Sequence, residues 1–180
     1  MSKEINFLVI ESKNGNQKAQ IKLYDLHCNA MFAISCRYLK NEEEAKDAMQ
    51  DGFLKAFLNL ENYVDGTNFS GWLKIIIINT CIDALKKKKL ETISLEKYPL
   101  EISNDTDWNF DSKISKQQII EAIEKLYVKY QLVIKLYLME GYDHQEIATI
   151  LKIPIKTSRT HLRRGKLALR NLLKVEKYGT

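Results

Sequence analysis

The chain has 180 residues and a formal net charge of +5, and 45% of its residues are hydrophobic. That length fits one ordinary domain or two small ones, and the 7 glycines and 2 prolines favour helices over a many-stranded sheet. No stretch approaches the roughly 20 apolar residues of a membrane span, and the short apolar run in MSKEINFLVIESKN excludes a signal peptide, so we expect a cytoplasmic protein.

The first helical block covers residues 10–90, and its first helix contains KLYDLHCNAMFAISCRYL. Helical periodicity places five apolar residues near one face: Leu23, Leu26, Ala30, Ile34 and Leu39. The chain's three cysteines, an odd number without metal-ligand spacing, are Cys28, Cys36 and Cys81. We therefore expect reduced thiols in the core of a cytosolic protein, with no disulfide and no metal site.

The next helix lies in NEEEAKDAMQDGFLKAFLNL, where Asn41 is the expected N-cap and Glu44 follows three residues later, as in a capping box. Its apolar stripe consists of Ala45, Ala48 or Met49, Phe53 and Phe57. Three polar residues point elsewhere: Asp47, Gln50 and Asp51. Such residues usually form a solvated face, and an acidic docking face is the sharper alternative.

A loop, ENYVDGTNFSG, and a helix, GWLKIIIINTCIDALKKKK, end the block. The four isoleucines at 75–78 point all round a helix axis, so we expect burial on most sides. One face joins Trp72, Asn79, Asp83 and Lys86, and it ends in Lys87, Lys88 and Lys89. Two interpretations of this stripe are open. In one, Trp72 belongs to the core, Asn79 and Asp83 make local bonds, and the lysines are a solvated helix end. In the other, the stripe is a binding face.

Residues 91–113 show no helical period, and residues 91–111 carry six acids and one lysine, which predicts a polar, acidic linker.

The second block covers residues 114–176. Its first two helices bury Ile119, Ile123 and Leu126, and then Val133, Leu136 and Tyr137, before a stop at Gly141. Asp143 and Glu146 form a D-x-x-E start, and Ile147, Ala148 and Leu151 form a short apolar face after it. Pro154 breaks this helix, and a longer helix then carries Leu162, Leu169 and Leu173 inward.

A short helix, a tight turn and a longer helix that is basic at its N-terminal end form the pattern of a helix-turn-helix. Residues 152–177 hold nine Lys or Arg and one acid. The outward residues are Arg159, Thr160, Arg163, Arg164 and Lys166. Arginine can bond O6 and N7 of guanine together, which favours DNA binding over a plain helical hairpin with a basic solvent face. His161 lies in the same helix, where contact with DNA and a surface role are both open.

With these segments in order, the chain resembles the bacterial sigma-70 family of RNA polymerase sigma factors, specifically the extracytoplasmic-function (ECF) group, over residues 19–174. RYLKNEEEAKDAMQDGFLKAF is similar to the helix that docks on the polymerase clamp. FSGWLKIIIINTCIDALKKKK is similar to the helix that meets the −10 promoter element, and LYLMEGYDHQEIATILKIPIKTSRTHLRRGKLALR to the helix-turn-helix that meets the −35 element. The chain has no room for the third conserved region of housekeeping sigma factors.

We therefore expect an all-α protein of two small helical domains joined by a flexible acidic linker, the second ending in the helix-turn-helix. The resemblance implies region 2 of the family at residues 10–90, region 4 at residues 114–176, and three sets of site residues. The polymerase-docking set is Asp47, Gln50, Asp51 and Leu54. The −10 set is Asn62, Tyr63, Asn68, Phe69, Trp72, Asn79, Asp83, Lys86 and Lys87, with residues 62–70 as the loop that captures a flipped base. The −35 set is Lys156, Thr157, Arg159, Thr160, Arg163, Arg164 and Lys166.

The same resemblance implies core RNA polymerase and promoter DNA as partners, an anti-sigma protein as a frequent partner in the group, no cofactor and no catalytic step. Three residues depart from the family pattern. Lys152 stands where a turn glycine is frequent, and Pro154 where a capping serine is. Gly52 replaces a larger residue and should loosen its helix slightly.

Two rival functions come from other classes. A helix-turn-helix regulator would bind duplex DNA as a dimer without core polymerase, but this leaves the first block unexplained. An enzyme is disfavoured because the seven glycines form no phosphate loop and the three histidines lack partners at useful spacing.

Overall fold

The computed structural model describes residues 2–90 and 114–178, which form helices and turns without a β-strand. The expected all-α fold is therefore confirmed. The chain divides into two compact units, Met1–Leu95 and Glu96–Thr180. The predicted linker at 91–113 lies outside the described residues.

The described part of unit 1 consists of α1 (Ser2–Lys13), α2 (Gln17–Tyr38), α3 (Glu42–Leu58), a 3-10 turn (Leu60–Asn62) and α4 (Phe69–Leu90). Side-chain caps begin α2 and α3. Asn16 Oδ1 accepts the N–H of Ala19 at 3.3 Å, and Asn41 Oδ1 accepts the N–H of Glu44 at 3.0 Å. These bonds satisfy N–H groups that have no partner inside the helix, so the predicted cap at Asn41 is confirmed.

Helix α1 is an element that the sequence patterns did not predict, and it begins ahead of residue 10. It packs against α2 and touches the 3-10 turn, with Leu8 and Val9 buried. Unit 1 therefore has a fourth helix beside the loop that follows α3.

The buried face of α2 differs from the predicted stripe. Leu23 and Ile34 are buried as expected, but Leu26 and Ala30 are exposed. The buried face also includes His27. The prediction, which considered apolar residues alone, therefore placed the buried face of α2 at the wrong angle around the helix.

The cysteine prediction is correct for one residue of three. Cys81 is buried, Cys28 is half-buried and Cys36 is exposed, and all three are free thiols. Burial raises the pKa of the Cys81 thiol, which keeps it protonated. The two α2 cysteines lie away from the buried face of that helix.

The isoleucines of α4 are buried on one side of the helix only. Ile77 and Ile78 are fully buried, Ile76 is half-buried and Ile75 is 38% exposed. The expectation of burial on most sides is wrong for Ile75, because α4 packs against α2 and α3 and leaves its opposite side open. Gly52 has a packing role rather than a merely loosening one, since a Cβ there would collide with Ile77 Cδ1.

The described part of unit 2 consists of α5 (Lys116–Glu124), α6 (Val128–Ile134), a π-helical segment (Lys135–Met139), α7 (His144–Leu151) and α8 (Ile155–Tyr178). A reciprocal capping box begins α7: the N–H of Glu146 donates to Asp143 Oδ1, and the N–H of Asp143 donates to Glu146 Oε2, both at 2.8 Å. The predicted D-x-x-E start is therefore confirmed. Gly141 adopts φ +78°, as the turn between the π-helical segment and α7 requires.

Helices α7 and α8 pack against each other as the predicted helix-turn-helix. Their buried apolar residues are Ile147 and Leu151 from α7 and Leu162, Leu169 and Leu173 from α8, which packs against α5 and α6 as well. Helix α8 approaches α6 closely at Gly165, where a Cβ would lie 2.8 Å from Ile134 Cδ1. Ala148, from the predicted apolar face of α7, is only half-buried, and Tyr137 is exposed rather than part of the core.

Candidate polymerase and nucleic-acid interfaces

One face of α3 presents all four residues that the resemblance assigned to polymerase docking. Asp47, Gln50, Asp51 and Leu54 are exposed, and Leu54 is 61% exposed. The face continues to Leu58, which is 83% exposed and lies one turn beyond Leu54. Sequence reasoning missed Leu58, although its spacing of four from Leu54 was a usable signal. The face is acidic at one end and apolar at the other.

A cleft of about 290 Å³ opens along α4. Its lining includes Asn62, Trp72, Asn79 and Asp83 from the predicted −10 set. Four further lining residues were missed, because they come from the end of α3 and from the neighbouring side of α4: Lys55, Asn59, Ile76 and Thr80. Lys86 and Lys87 are exposed farther along α4 and do not line the cleft.

Some polar groups of this cleft are already hydrogen-bonded within the protein, and others are not. Lys55 Nζ donates to Thr80 Oγ1 at 3.3 Å, and the Asn59 amide donates to the Lys55 carbonyl at 2.8 Å. By contrast, the side chains of Asn62, Asn79 and Asp83 make no hydrogen bond within residues 2–90 and 114–178. Trp72 therefore stands beside three polar side chains with unused hydrogen-bonding capacity.

The loop before α4 is built on a buried aromatic cluster. Tyr63 and Phe69 are each 3% exposed. Their ring centroids are 5.5 Å apart, and they lie 5.4 and 5.8 Å from the centroid of the half-buried Trp72. The expectation of direct contact with DNA does not fit Tyr63 and Phe69, because their rings are in the core. The exposed −10 residues of this segment are Asn62 and Asn68.

A buried histidine ties this loop to α2. His27 Nδ1 lies 2.9 Å from the carbonyl of Leu23, and Nε2 lies 2.9 Å from Ser70 Oγ. A carbonyl only accepts, so Nδ1 carries the proton and Nε2 accepts from the serine hydroxyl. The His27 ring also meets Phe69 edge-on at 5.3 Å. The start of α4 is therefore fixed by a residue that periodicity alone did not place in the core.

In unit 2, the first turns of α8 carry the predicted −35 residues. Lys156, Arg159, Arg163 and Arg164 are exposed, and Thr157, Thr160 and Lys166 are half-buried. Thr160 Oγ1 donates to the Lys156 carbonyl at 2.9 Å, which leaves its lone pairs free to accept. Lys166 Nζ lies 5.8 Å from the ring centroid of Tyr137, so part of its role is packing.

Two histidines flank this basic face and do not add to its charge at neutral pH. His144 Nδ1 lies 2.9 Å from Ser158 Oγ, and burial followed by the positive charge of Arg159 lowers its pKa. Burial, then Lys129 and Arg164, lower the pKa of His161, which meets the Tyr130 ring edge-on at 5.6 Å. Both imidazoles are therefore neutral at pH 7, and the positive charge comes from the Lys and Arg side chains.

Among residues 2–90 and 114–178, no group of three or more His, Cys, Asp or Glu side chains has the geometry to hold a metal ion. No helix in that part of the chain combines the length and the apolar character required to cross a bilayer.

Each of the two units matches a known protein family model. A family model described as Sigma-70 region 2 matches residues 23–91, and one described as Sigma-70, region 4 matches residues 116–169. The chain is 32% identical over 174 residues to the ECF RNA polymerase sigma factor SigW of Bacillus subtilis, covering 90% of this chain and 92% of that protein. It is 26% identical over 179 residues to the ECF RNA polymerase sigma-E factor of Salmonella typhi, covering 91% of each.

Two solved structures have a similar fold. One is CnrH in complex with the cytosolic domain of CnrY, with a TM-score of 0.60 and 21% identity over 96% of this chain and 98% of that one. The other is the sigma factor RpoE in complex with the anti-sigma factor NepR from Bartonella quintana, with a TM-score of 0.60 and 21% identity over 86% and 96%. At this identity, the likeness concerns the fold.

Proposed function

Because this chain belongs to the ECF group of the sigma-70 family, we propose that it binds core polymerase through α3, opens promoters with α4 and its loop, and reads the −35 element with α8. The chain is a transcription initiation factor that directs RNA polymerase to promoters. Its family consists of initiation factors rather than enzymes. We place its action in the cytoplasm, where the polymerase and the chromosome are.

The cleft along α4 carries the proposal for promoter opening. Asn62, Asn79 and Asp83 have unused hydrogen-bonding groups there, and Trp72 supplies a half-buried ring beside them. Unpaired bases expose edges that a duplex hides, and they stack on aromatic side chains. Lys86 and Lys87, farther along the same helix, are placed to contact phosphates.

Promoter opening is tested with Asn79→Ala. We expect holoenzyme carrying this variant to bind duplex promoter normally and to open it several-fold less, as seen by permanganate reactivity of unpaired thymines. The matched control is Asn29→Ala, an exposed asparagine on α2. Equal thymine reactivity in the variant and the wild type would contradict the assignment. Trp72→Ala is a poorer choice, since Trp72 packs on the buried rings of Tyr63 and Phe69 and truncating a well-packed aromatic costs up to about 3–5 kcal/mol.

The exposed face of α3 supports the docking proposal, since its acidic and apolar ends suit a partner surface that is basic and apolar. We expect the double variant Asp47→Lys, Asp51→Lys to bind core polymerase more weakly by roughly a hundredfold or more, because placing like charges together costs several kcal/mol and about 1.4 kcal/mol is tenfold in affinity. Helical content should not change, since both side chains are exposed. Affinity is measured with labelled sigma factor and purified core enzyme.

Glu42→Lys is the control for docking, because it makes the same charge change on an exposed residue that points to another face of α3. Unchanged core affinity in the double variant would remove α3 from the docking surface. A wild-type chain that bound promoter duplex but no core polymerase would instead be a helix-turn-helix regulator.

An anti-sigma protein is a proposed regulatory partner. The relative RpoE was solved in complex with the anti-sigma factor NepR, and its fold is similar to that of this chain. Co-purification from the native cell, with the α3 double variant as a comparison, would test whether such a partner covers the docking face.

A further inference from the structure

The loop between the 3-10 turn and α4 is held from α1 as well as from its own ends. Lys13 Nζ donates to the carbonyl of Tyr63 at 2.9 Å and lies 2.7 Å from Asp65 Oδ1. The same ammonium lies 5.8 Å from the centroid of the Tyr63 ring. The Lys13 side chain is 16% exposed and that of Asp65 is 53% exposed, so the ion pair is open to solvent while the bond to the Tyr63 carbonyl is partly buried. A residue of α1 therefore fixes the start of a loop about 50 positions later in the chain.

Helix α1 also forms one wall of a recess beside this loop. The recess holds about 440 Å³, which lies within the range of small-ligand sites, roughly 300–1,000 Å³. Its lining consists of Ile5 and Asn6 from α1 and of residues 66–70. The loop thus borders the α4 cleft at Asn62 and this recess at Asn68.

The polar groups in the recess are unequally occupied. Three lining residues already use a side-chain oxygen: Thr67 and Asn68 in local bonds of the loop, and Ser70 of α4 in its bond to His27. The Asn6 amide is half-buried and makes no hydrogen bond within residues 2–90 and 114–178. An amide offers one acceptor beside one donor group, the pattern with which asparagine pairs with a base edge. Ile5 adds apolar surface against which a ring can pack.

On the basis of the proposed function, we infer that this recess receives one unpaired base of the opened −10 region, that Asn6 of α1 takes part in reading it, and that Lys13 is a positioning residue that sets the loop wall. Helix α1 is then part of the promoter-reading surface and not only a support for α2.

The role of Asn6 is tested by promoter selection with reconstituted holoenzyme and a library randomised across the −10 region. We expect Asn6→Ala to lower the preference at one unpaired position by roughly tenfold, within the range of a bidentate amide contact. The −35 preference and core affinity should not change. Asn14→Ala is the matched control, since Asn14 is exposed beyond the end of α1 and outside the recess.

The role of Lys13 is tested separately from its charge. Lys13→Met should reduce promoter opening several-fold and blur the same base preference, and Lys13→Arg should restore both. The double variant Lys13→Met, Asp65→Asn keeps the local charge balance but still lacks the bond to the Tyr63 carbonyl. We expect it to remain defective, whereas a purely electrostatic role would be rescued. Circular dichroism and thermal melting confirm that each variant is folded.

The outcomes separate this inference from the function on which it rests. Holoenzyme that forms and opens promoters while Asn6→Ala selects the same sequences as the wild type would overturn the base-reading role of α1. Full rescue by the charge-balanced double variant would overturn the positioning role of Lys13. Failure of the wild-type chain to bind core polymerase would instead overturn the proposed function.

Discussion

The turn of the helix-turn-helix depends on one residue in an unfavourable backbone conformation. Lys152 ends α7 with φ 55° and ψ 49°, and its N–H donates to the carbonyl of Ala148. A side chain in this left-handed region clashes with its own backbone, which is why glycine is common at such positions. Pro154 follows two residues later and prevents the helix from continuing. The turn keeps its geometry despite the lysine because the flanking helices share a buried seam.

We expect Lys152→Gly to stabilise unit 2 by about 1 kcal/mol, since relief of a left-handed side chain, roughly 1–3 kcal/mol, outweighs the added entropy of the unfolded chain. The expected rise in melting temperature is about 4–8 °C for a domain of this size. Lys152→Ala should give almost no rise, because alanine keeps the backbone penalty while removing the charge. Equal melting temperatures for the glycine and alanine variants would show that the left-handed backbone is not strained.

At the scale of elements, the two sides of α8 differ in polarity and charge. Its apolar side faces α6 and α7, and its exposed side carries Lys156, Arg159, Arg163 and Arg164. Arg159 and Arg163 share one face and Arg164 lies on the adjacent one, so the set can follow a curving major groove. Lys156 lies at the flank, where a phosphate contact is the better geometry. Lys166 packs on Tyr137 and is less free for that role.

Arginine and lysine variants of α8 should therefore differ in kind. Arg159→Ala or Arg164→Ala should cost roughly 1–3 kcal/mol on the preferred −35 sequence and relax the choice at one base pair. Lys156→Ala should weaken all sequences alike and reduce the salt dependence by about one counterion. The measurement is holoenzyme binding to a panel of −35 variants at two salt concentrations. Uniform weakening by both arginine variants would mean that neither reads a base.

The sequence predicted those elements whose signals are local. The cap at Asn41, the capping box at Asp143 and the inward leucines of α8 all follow from spacings of three or four residues. The contact of Lys13 with Asp65 joins residues 52 positions apart and leaves no periodic trace. The burial of Tyr63 was equally hidden, since an aromatic residue in a polar loop looks the same whether its ring is exposed or in the core.

Wrong predictions arose where polar residues share a buried face. Helix α2 buries His27 and Ser35 beside apolar neighbours, so an apolar count placed Leu26 in the core when it is exposed. Leu58 was missed for the opposite reason, because an exposed leucine at a helix end carries no polar marker. Surface function is therefore the hardest property to read from periodicity, which reports burial.

At the scale of the whole molecule, the chain joins two compact units that we assign to different promoter elements. The elements lie about 60 Å apart, from some 17 base pairs at roughly 3.4 Å each. The 23 residues at 91–113 can extend to roughly 75 Å, so their length does not prevent both units from being bound at once. Binding of the second unit then becomes intramolecular, with an effective concentration on the order of millimolar.

Cutting the chain between residues 95 and 96 should therefore remove the coupling between the two units and leave the contacts that each unit makes by itself unchanged. We expect the two pieces, mixed with core polymerase at micromolar concentration, to give much less promoter-specific transcription than the intact chain, because each must bind on its own. Arg159→Ala should lower transcription strongly in the intact chain and have little further effect in the severed one. Circular dichroism of each piece controls for folding. Full activity of the mixture would show that polymerase alone holds both units in place and that the covalent link adds nothing.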